Sequence, residues 1–181
     1  MSGTTNKVKY GIKNAHYAIK GQGGYGTPVP IPGAKSISLE PKGELYVFYA
    51  DDIEYYRCPV NNGYEGDAEF ALIPEDFLKD VMGDTLETTA NVLVEHADAQ
   101  VVEFALGFEL TGDVKASRFW FYNCVATRPS VEGDTKEQSI NVKTEKVKIS
   151  SAPGSDGIVR ARTTETTPAE TYDAWFEAVF A

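Results

Sequence analysis

The chain has 181 residues, a formal net charge of −10 and a hydrophobic content of 42%. This length suits one domain with a sizeable core. No apolar run approaches the roughly 18 residues that a membrane-spanning helix needs, and no apolar stretch follows the first lysines. We therefore expect synthesis in the cytoplasm, no secretory signal and no membrane partner.

Charge is unevenly distributed along the chain. Residues 1–39 contain five lysines and no acid, whereas residues 40–113 contain 18 acids against three basic residues. The remaining residues, 114–181, balance the two signs. Segregated charge of this kind predicts an assembling subunit, because opposite patches steer identical copies head to tail. The acidic middle argues against tight binding of phosphate groups.

The first 33 residues are predicted to form a basic N-terminal arm that ends in a loop rich in glycine and proline. The loop, residues 21–33, reads GQGGYGTPVPIPG and is incompatible with a regular helix or a central strand. His16 lies in the arm among side chains that form hydrogen bonds, namely Tyr10, Asn14 and Tyr17. We interpret His16 as a structural residue that helps the arm to pack.

Residues 34–165 are predicted to form a β body that carries one short helix. In ELYVFYA, Leu45, Val47 and Tyr49 alternate onto one face, as in a strand. The segment PEDFLKDVMG predicts a helix near residues 74–82, because a proline suits its first position and Gly83 suits its end.

Two long strands, EFALGFEL and RFWFYNCVAT, are predicted to form the centre of the body. In the first, alternation places Phe104, Leu106, Phe108 and Leu110 on a core face and Glu103, Ala105, Gly107 and Glu109 on a small, wettable face. The last segment, residues 166–181, is predicted to be a C-terminal arm or a docking segment. The fold class is therefore mainly β: one domain, an antiparallel β-sandwich with one short flanking helix, an arm and extended loops.

No constellation of residues predicts catalysis. The acids Asp51, Asp52 and Glu54 are the best pair-forming carboxylates, and Glu95, His96 and Asp98 are the best candidate metal ligands. In a chain with 27 acids the first cluster is expected without any function, and the second group is better explained as a solvated turn at the tip of a hairpin. Cys58 and Cys124 fit neither a disulfide framework nor a zinc pattern and are predicted to be reduced thiols. We expect no enzyme, no metal and no cofactor.

An ordered series of segments resembles the major tail proteins of long-tailed siphophages. The segments are KYGIKNAHYAI, ADDIEYY, NNGYEGDAEFALIPEDFLKDVMG, EFALGFELTGDVKASRFWFYNCVATRP, TKEQSI, TEKVKISSAPGSDGIVRA and YDAWFEAVF. They run nearly from end to end of the chain, and their order is more specific than any one of them. The loop at residues 21–33 is the part that aligns least well.

The resemblance implies the phage tail-tube fold and a structural virion protein. Such subunits form hexameric rings that stack into a tube around a tape-measure protein, and viral DNA is later ejected through the lumen. The implied partners are further copies of the chain, the tape-measure protein, the tail terminator and baseplate or tip proteins, with DNA in transit but not specifically bound. The implied location is the virion tail tube, made in the cytoplasm of a host bacterium.

Candidate site residues follow from the charge pattern within this assembly. The acidic face with Glu103 and Glu109 is predicted to line the lumen, since an acidic wall weakly repels DNA whereas a basic wall would hold phosphates. The candidate contacts between subunits or rings are Lys7, Lys9, Lys13, His16, Tyr55 and Tyr56.

Three other functions compete with a siphophage tail tube. The first is a tube of a contractile, phage-derived particle, which would have the same fold. The second is a β-sandwich module that binds glycans through its tyrosines, Tyr46, Tyr55, Tyr56 and Tyr64. The third is a carboxylate-dependent hydrolase.

Overall fold

The fold is known from a computed structural model that describes residues 5–135 and 142–180. Its strands are β1 Lys9–Gly21, β2 Gly24–Tyr25, β3 Val29–Pro30, β4 Ala34–Pro41, β5 Leu45–Ala50, β6 Ile53–Pro59, β7 Tyr64–Phe70, β8 Thr85–Glu87, β9 Val92–Val94, β10 Phe104–Gly112, β11 Ser117–Ala126, β12 Glu145–Ser151 and β13 Arg160–Arg162. The helices are α1 Glu75–Asp80 and α2 Ala169–Asp173, and a 3₁₀ turn follows at Ala174–Phe176.

Within the described residues, nine strands form one antiparallel sheet. Its main path runs β1–β10–β11–β12–β7–β4, with β2 and β3 beside β1 and β13 beside β11. The two end strands, β1 and β4, come close to each other, so the sheet curls around its core. The prediction of a mainly β, antiparallel, sandwich-like fold with one short flanking helix is confirmed.

The inner face of the sheet holds the main core. Phe104, Leu106 and Phe108 on β10 are all buried, as the alternation predicted. Phe108 stacks on Phe119 and Phe121 of β11, with ring centroids 5.2 and 5.7 Å apart. Offset aromatic pairs at these distances add to the free energy gained by burial alone.

Helix α1 closes one end of this core. Its Phe77 is buried and meets Tyr17 and Phe104 edge to face, at centroid distances of 5.1 and 5.7 Å. Val81 and Met82, just after the helix, are also buried. The helix predicted near residues 74–82 is confirmed, and its six residues depend on this packing because so short a helix is not stable alone.

The prediction of a basic N-terminal arm is wrong over most of the arm's length. Residues 9–21 form β1, which pairs along β10 and buries Tyr17 and Ala18 completely. The strand carries two register shifts, where Gly11 and Asn14 adopt positive φ angles of 67° and 52°. Because such bulges break the period of two, the sequence does not show the alternation of a strand here. The loop at 21–33 contributes β2 and β3, which pair with β1.

The C-terminal segment, residues 168–180, lies on the sheet as a clasp. Trp175 is buried against Ala105, Trp120 and Tyr122, in a cluster separate from the main core. Trp120 Nε1 donates a hydrogen bond to the Trp175 carbonyl at 2.9 Å, and Tyr122 donates one to the Phe180 carbonyl. The predicted docking segment therefore covers the outer face of β10 and β11.

Candidate assembly surface

Strands β4 and β5 follow one another along one side of a long two-stranded ribbon, and β6 and β7 return along its other side. The β4–β7 ladder ends where Pro41 pairs with Tyr64, and the β5–β6 ladder begins where Leu45 pairs with Pro59. Between them, Lys42 N donates to Gly63 O at 2.8 Å, and further main-chain hydrogen bonds continue the ladder. The inner half of the ribbon belongs to the sheet, and the outer half, residues 45–59, extends beyond it. We call residues 45–59 the protruding hairpin.

The junction between the two halves requires a glycine. Gly63 has a φ angle of 100°, and a Cβ atom there would lie 2.0 Å from the carbonyl oxygen of Ser151 on β12. This close approach to a buried strand fixes the base of the hairpin to the sheet. The hairpin consequently projects in a direction set by the core.

One face of the protruding hairpin is apolar and uncovered. Cross-strand partners share a face, so the pairing of Phe48 with Tyr56 and of Ala50 with Ile53 places these side chains together. Tyr46, Phe48, Ile53 and Tyr56 are exposed by 57%, 47%, 61% and 55%. An isolated two-stranded hairpin is marginally stable in water. Its apolar face is therefore a surface that lacks its partner.

The tip of the hairpin carries negative charge. Asp51 and Asp52 have φ angles of 52° and 59°, the left-handed pair that a two-residue turn of type I′ needs. Glu54 forms an ion pair with Arg57 further down the hairpin. Because no ion pair within the described residues involves Asp51 or Asp52, the tip presents two carboxylates to its surroundings.

Both predicted contact tyrosines lie on this hairpin. Tyr56 belongs to the apolar face, and Tyr55 is the extra residue of a bulge, exposed by 69%. The signal for the hairpin was present in the sequence as two runs of β-forming residues around a pair of aspartates. Its exposure was not, because both runs look like core strands.

Of the predicted contact lysines, Lys13 lies near the start of β4, and Lys7 and Lys9 lie near the turn that follows β10. Lys9 and Lys13 are exposed on β1, and Lys7 is exposed just before it. Between β1 and the start of β4 there is a groove of about 440 Å³. Its lining includes Ile12, Lys13, Pro30, Ile31 and Ala34. We call it the β1 groove.

The β1 groove follows an incompletely paired edge. On this side of β1, strand β3 pairs only with His16 and Tyr17. The preceding residues of β1 have β10 as their only strand partner within the described part of the chain. An edge of this kind offers free main-chain groups, and its lysines and bulges discourage indiscriminate pairing.

His16 has its partners within its own chain. Its ring stacks on Phe176 of the clasp, with centroids 4.7 Å apart and planes 11° from parallel. Its Nδ1 lies 2.9 Å from the main-chain oxygen of Asn14. These contacts support the structural interpretation of His16 and place it beside the β1 groove, whose lining it joins.

Glu109 does not lie on an open acidic face. Its side chain is only 3% exposed and contacts Arg118 Nε at 2.7 Å and Lys13 Nζ at 3.2 Å. Burial raises the pKa of this carboxyl, but the hydrogen bonds and charges of Arg118 and Lys13 outweigh it, so its pKa lies below the usual value. Because the clasp covers this face, the prediction that Glu109 lines a lumen is wrong.

Glu103 at the start of the same face remains accessible. It is about half exposed and pairs with Lys20 Nζ at 2.5 Å. That hydrogen bond is the main cause of the raised pKa of Lys20. A lumen role for Glu103 stays a prediction.

An uncovered polar face lies on the opposite half of the sheet, across β4, β7 and β12. In one row Ser38 is opposite Asp67, which is opposite Lys148, and in the next Glu40 is opposite Glu65. Like charges placed directly opposite repel each other. Lys42 Nζ lies 3.8 Å from Glu65 and offsets part of this repulsion. We call this surface the acidic sheet face.

No protein-family model matches the sequence, and no curated protein matches it. Three solved structures of phage-like particles have a similar course of the chain. The tube-terminating cap of the anti-feeding prophage is 10% identical, with a TM-score of 0.46 over 91% of this chain and 98% of that chain. The sheath–tube complex of an extracellular contractile injection system is 10% identical, with a TM-score of 0.40 over 83% of this chain and 88% of that one. The sheath/tube terminator of the same kind of system is 11% identical, with a TM-score of 0.40 over 83% and 94%.

The helices are too short or too polar to cross a bilayer, as far as the described residues extend.

Proposed function

We propose that this protein is a structural subunit that assembles with copies of itself into the tail tube of a phage or phage-like particle. The observation that carries the proposal is the protruding hairpin, whose apolar face has no partner within the described chain. Contiguous apolar surface exposed on a soluble chain marks an interaction site. The sequence resemblance to siphophage major tail proteins supplies the kind of assembly.

Self-association is favoured over a foreign partner by the distribution of charge. The hairpin tip carries two aspartates, whereas β1, a different strand, carries the exposed lysines Lys9 and Lys13. A chain that holds both halves of a complementary pair at separate places associates head to tail. Repetition of such a contact gives rings where the rotation closes and filaments where it does not.

The acidic sheet face is the best candidate for the wall of a channel in this assembly. It is open along a groove and rich in carboxylates, although apolar residues such as Val101 and Val125 also line the groove. Within the described part of the chain its outer strand, β4, pairs with β7 alone, so a neighbouring subunit would extend the sheet at the other edge of β4. We infer stacked hexameric rings, a tape-measure protein within them, terminator and tip proteins at the ends, and DNA that passes without specific binding.

Electron microscopy of the purified full chain tests this function. We expect rings or tubes of uniform diameter for the wild type. The double variant Phe48→Ser with Tyr56→Ser should remain folded but fail to form them, because it removes two exposed rings and no core residue. Leu72→Ser is the matched control, since Leu72 is 67% exposed but lies outside the hairpin. A wild-type chain that stays monomeric at every concentration would refute the proposal.

A glycan-binding module is the second candidate, favoured by the exposed tyrosine rings of the hairpin. Tyr46, Tyr55 and Tyr56 offer flat surfaces on which sugar rings stack. Tyr64 does not belong to this group, because it packs edge to face on Phe121 at 5.2 Å. Saturable binding of an oligosaccharide to a monomeric wild type, abolished in Tyr55→Ser, would favour this function over a tube.

A further inference from the structure

We propose that the tip of the protruding hairpin binds in the β1 groove of the next copy, as the two halves of one head-to-tail contact. This inference rests on the proposed function and goes beyond it by assigning the acceptor site. The occupant of the groove is thus a second copy of this chain.

The length of the ribbon separates the hairpin tip from the groove of the same chain. Ala34 begins β4 and also lines the β1 groove, whereas Asp51 and Asp52 lie at the turn between β5 and β6, at the far end of the same ribbon. The 17 residue steps from Ala34 to Asp51 span about 56 Å at a rise of ~3.3 Å per residue. A hairpin that projects from the opposite end of the ribbon does not reach its own groove. The contact therefore joins different copies, and each copy retains a free tip and a free groove.

Charge near the β1 groove also favours the tip. Lys13 lines the groove, Lys35 follows its lining residue Ala34, and Lys7 and Lys9 lie earlier in the chain, at and just before the start of β1. The acids near these four lysines are Glu109 and Glu69, which pair with Lys13 and Lys35, and Asp113, which accepts the main-chain N–H of Lys7. Four lysines against three acids leave a positive balance, which suits a tip with two aspartates.

Charge disfavours the other large groove as the acceptor. This groove crosses the acidic sheet face, and its described lining contains three acids, Glu40, Glu65 and Asp67, and one cation, Lys148. Two aspartates at the hairpin tip would be repelled there. Charge therefore favours the β1 groove over the groove on the acidic sheet face, although both grooves have apolar residues in their lining.

The shape of the edge also suits an extended ribbon. Among residues 5–135 and 142–180, no strand pairs with the outer edges of the two hairpin strands or with the groove side of the first half of β1. Pairing between a hairpin edge and β1 would satisfy both sets of groups. Ile53, exposed by 61% beside the tip, would then meet the apolar lining of Ile12 and Pro30.

The test uses two full-length variants, each defective in one half of the contact. The tip variant is Asp51→Asn, Asp52→Asn and Ile53→Ser, in which asparagine keeps the left-handed turn. The groove variant is Lys9→Glu with Pro30→Glu, both at exposed positions. Arg162→Glu is the control for added negative charge, since Arg162 is exposed and does not line the groove. Mass photometry gives the size of each species, and circular dichroism verifies folding.

Each variant alone should stop at a smaller species than the wild type, with association at least tenfold weaker. An equimolar mixture should produce paired species, because an intact tip from one variant meets an intact groove from the other. The control should assemble like the wild type, and added salt should weaken wild-type assembly more than the residual assembly of the tip variant.

Three results would overturn the inference. If the groove variant assembles like the wild type, the β1 groove is not the acceptor. If both variants are blocked and the mixture restores nothing, the tip and the groove do not contact each other. Pro30→Glu alone, at an exposed position in the groove lining, repeats the first test should the double variant be unstable. A monomeric wild type would instead refute the tail-tube function itself, and with it this contact.

Discussion

Replacing Trp175 by alanine should release the C-terminal clasp while leaving the sheet folded. Trp175 is 4% exposed, and it provides the largest buried side chain of the clasp. Removing about 200 Å² of buried aromatic surface costs roughly 5 kcal/mol at ~25 cal/mol per Å². Measured Trp→Ala changes in cores lie at about 3–5 kcal/mol.

The position of the clasp at the end of the described chain limits this loss. Once residues 168–180 have detached, no further contact of Trp175 remains to be lost. The cost to global stability therefore cannot exceed the net free energy with which the clasp docks. The main effect should be local: the clasp opens far more often, and the faces of Trp120 and Tyr122 become exposed.

Hydrogen exchange resolves the local from the global effect. Amides of the clasp should exchange about 100-fold faster for a loss of ~3 kcal/mol, since 1.4 kcal/mol corresponds to a factor of ten. Amides of β10 that face β1 should keep most of their protection. Glu177→Ala is the control, because Glu177 is exposed beside Trp175. Unchanged protection of the clasp in Trp175→Ala would refute the view that this one side chain holds it.

Three further predictions concern the sheet. Phe108→Ala should lower the free energy of unfolding by about 3–5 kcal/mol, and an unchanged melting temperature would contradict the buried stack. Glu109→Gln should cost about 3 kcal/mol at pH 7, because Arg118 loses its buried carboxylate. Because folding lowers the pKa of Glu109, the stability that this carboxylate contributes is present at neutral pH and is lost as the pH falls through the lowered pKa. The free energies of unfolding of wild type and variant, measured with urea, should therefore converge in acid. A difference that stays constant with pH would contradict this. Gly66→Ala should separate β4 from β7, because a Cβ atom there would lie 1.8 Å from the Ser38 carbonyl oxygen; native exchange protection of β4 in the variant would refute that contact.

The spacing of apolar residues in the sequence was sufficient to predict a strand or a helix where one face of that element packs on the core. The alternation in β10 placed Phe104, Leu106 and Phe108 inside, and the spacing and end signals of α1 predicted a helix that the structure contains. In both cases the sequence period matches the geometry of the element directly. The period of two did not predict β1, because register shifts at Gly11 and Asn14 interrupt the alternation along this strand of thirteen residues.

The candidate site could be predicted only in part. Tyr55 and Tyr56 lie exposed on the protruding hairpin, and their role as contact residues stays a prediction. The lumen residue Glu109 was misplaced because small neighbours on its face suggested exposure to solvent. In the structure Gly107 instead leaves room for Trp120, since a Cβ atom there would lie 2.6 Å from the indole ring.

By itself the sequence determined the fold class, the core face of the central strands, the short helix and the segregation of charge. These properties depend on residue type and on spacing within a few positions, so they can be read locally. Tertiary structure decided which surfaces remain free. The clasp covers β10 and β11 through contacts between residues some 55 positions apart, such as Trp120 with Trp175, whereas the equally apolar strands β5 and β6 extend beyond the sheet. Alternation shows that two faces differ, but what covers a face is set by long-range packing, for which a single sequence holds no local signal.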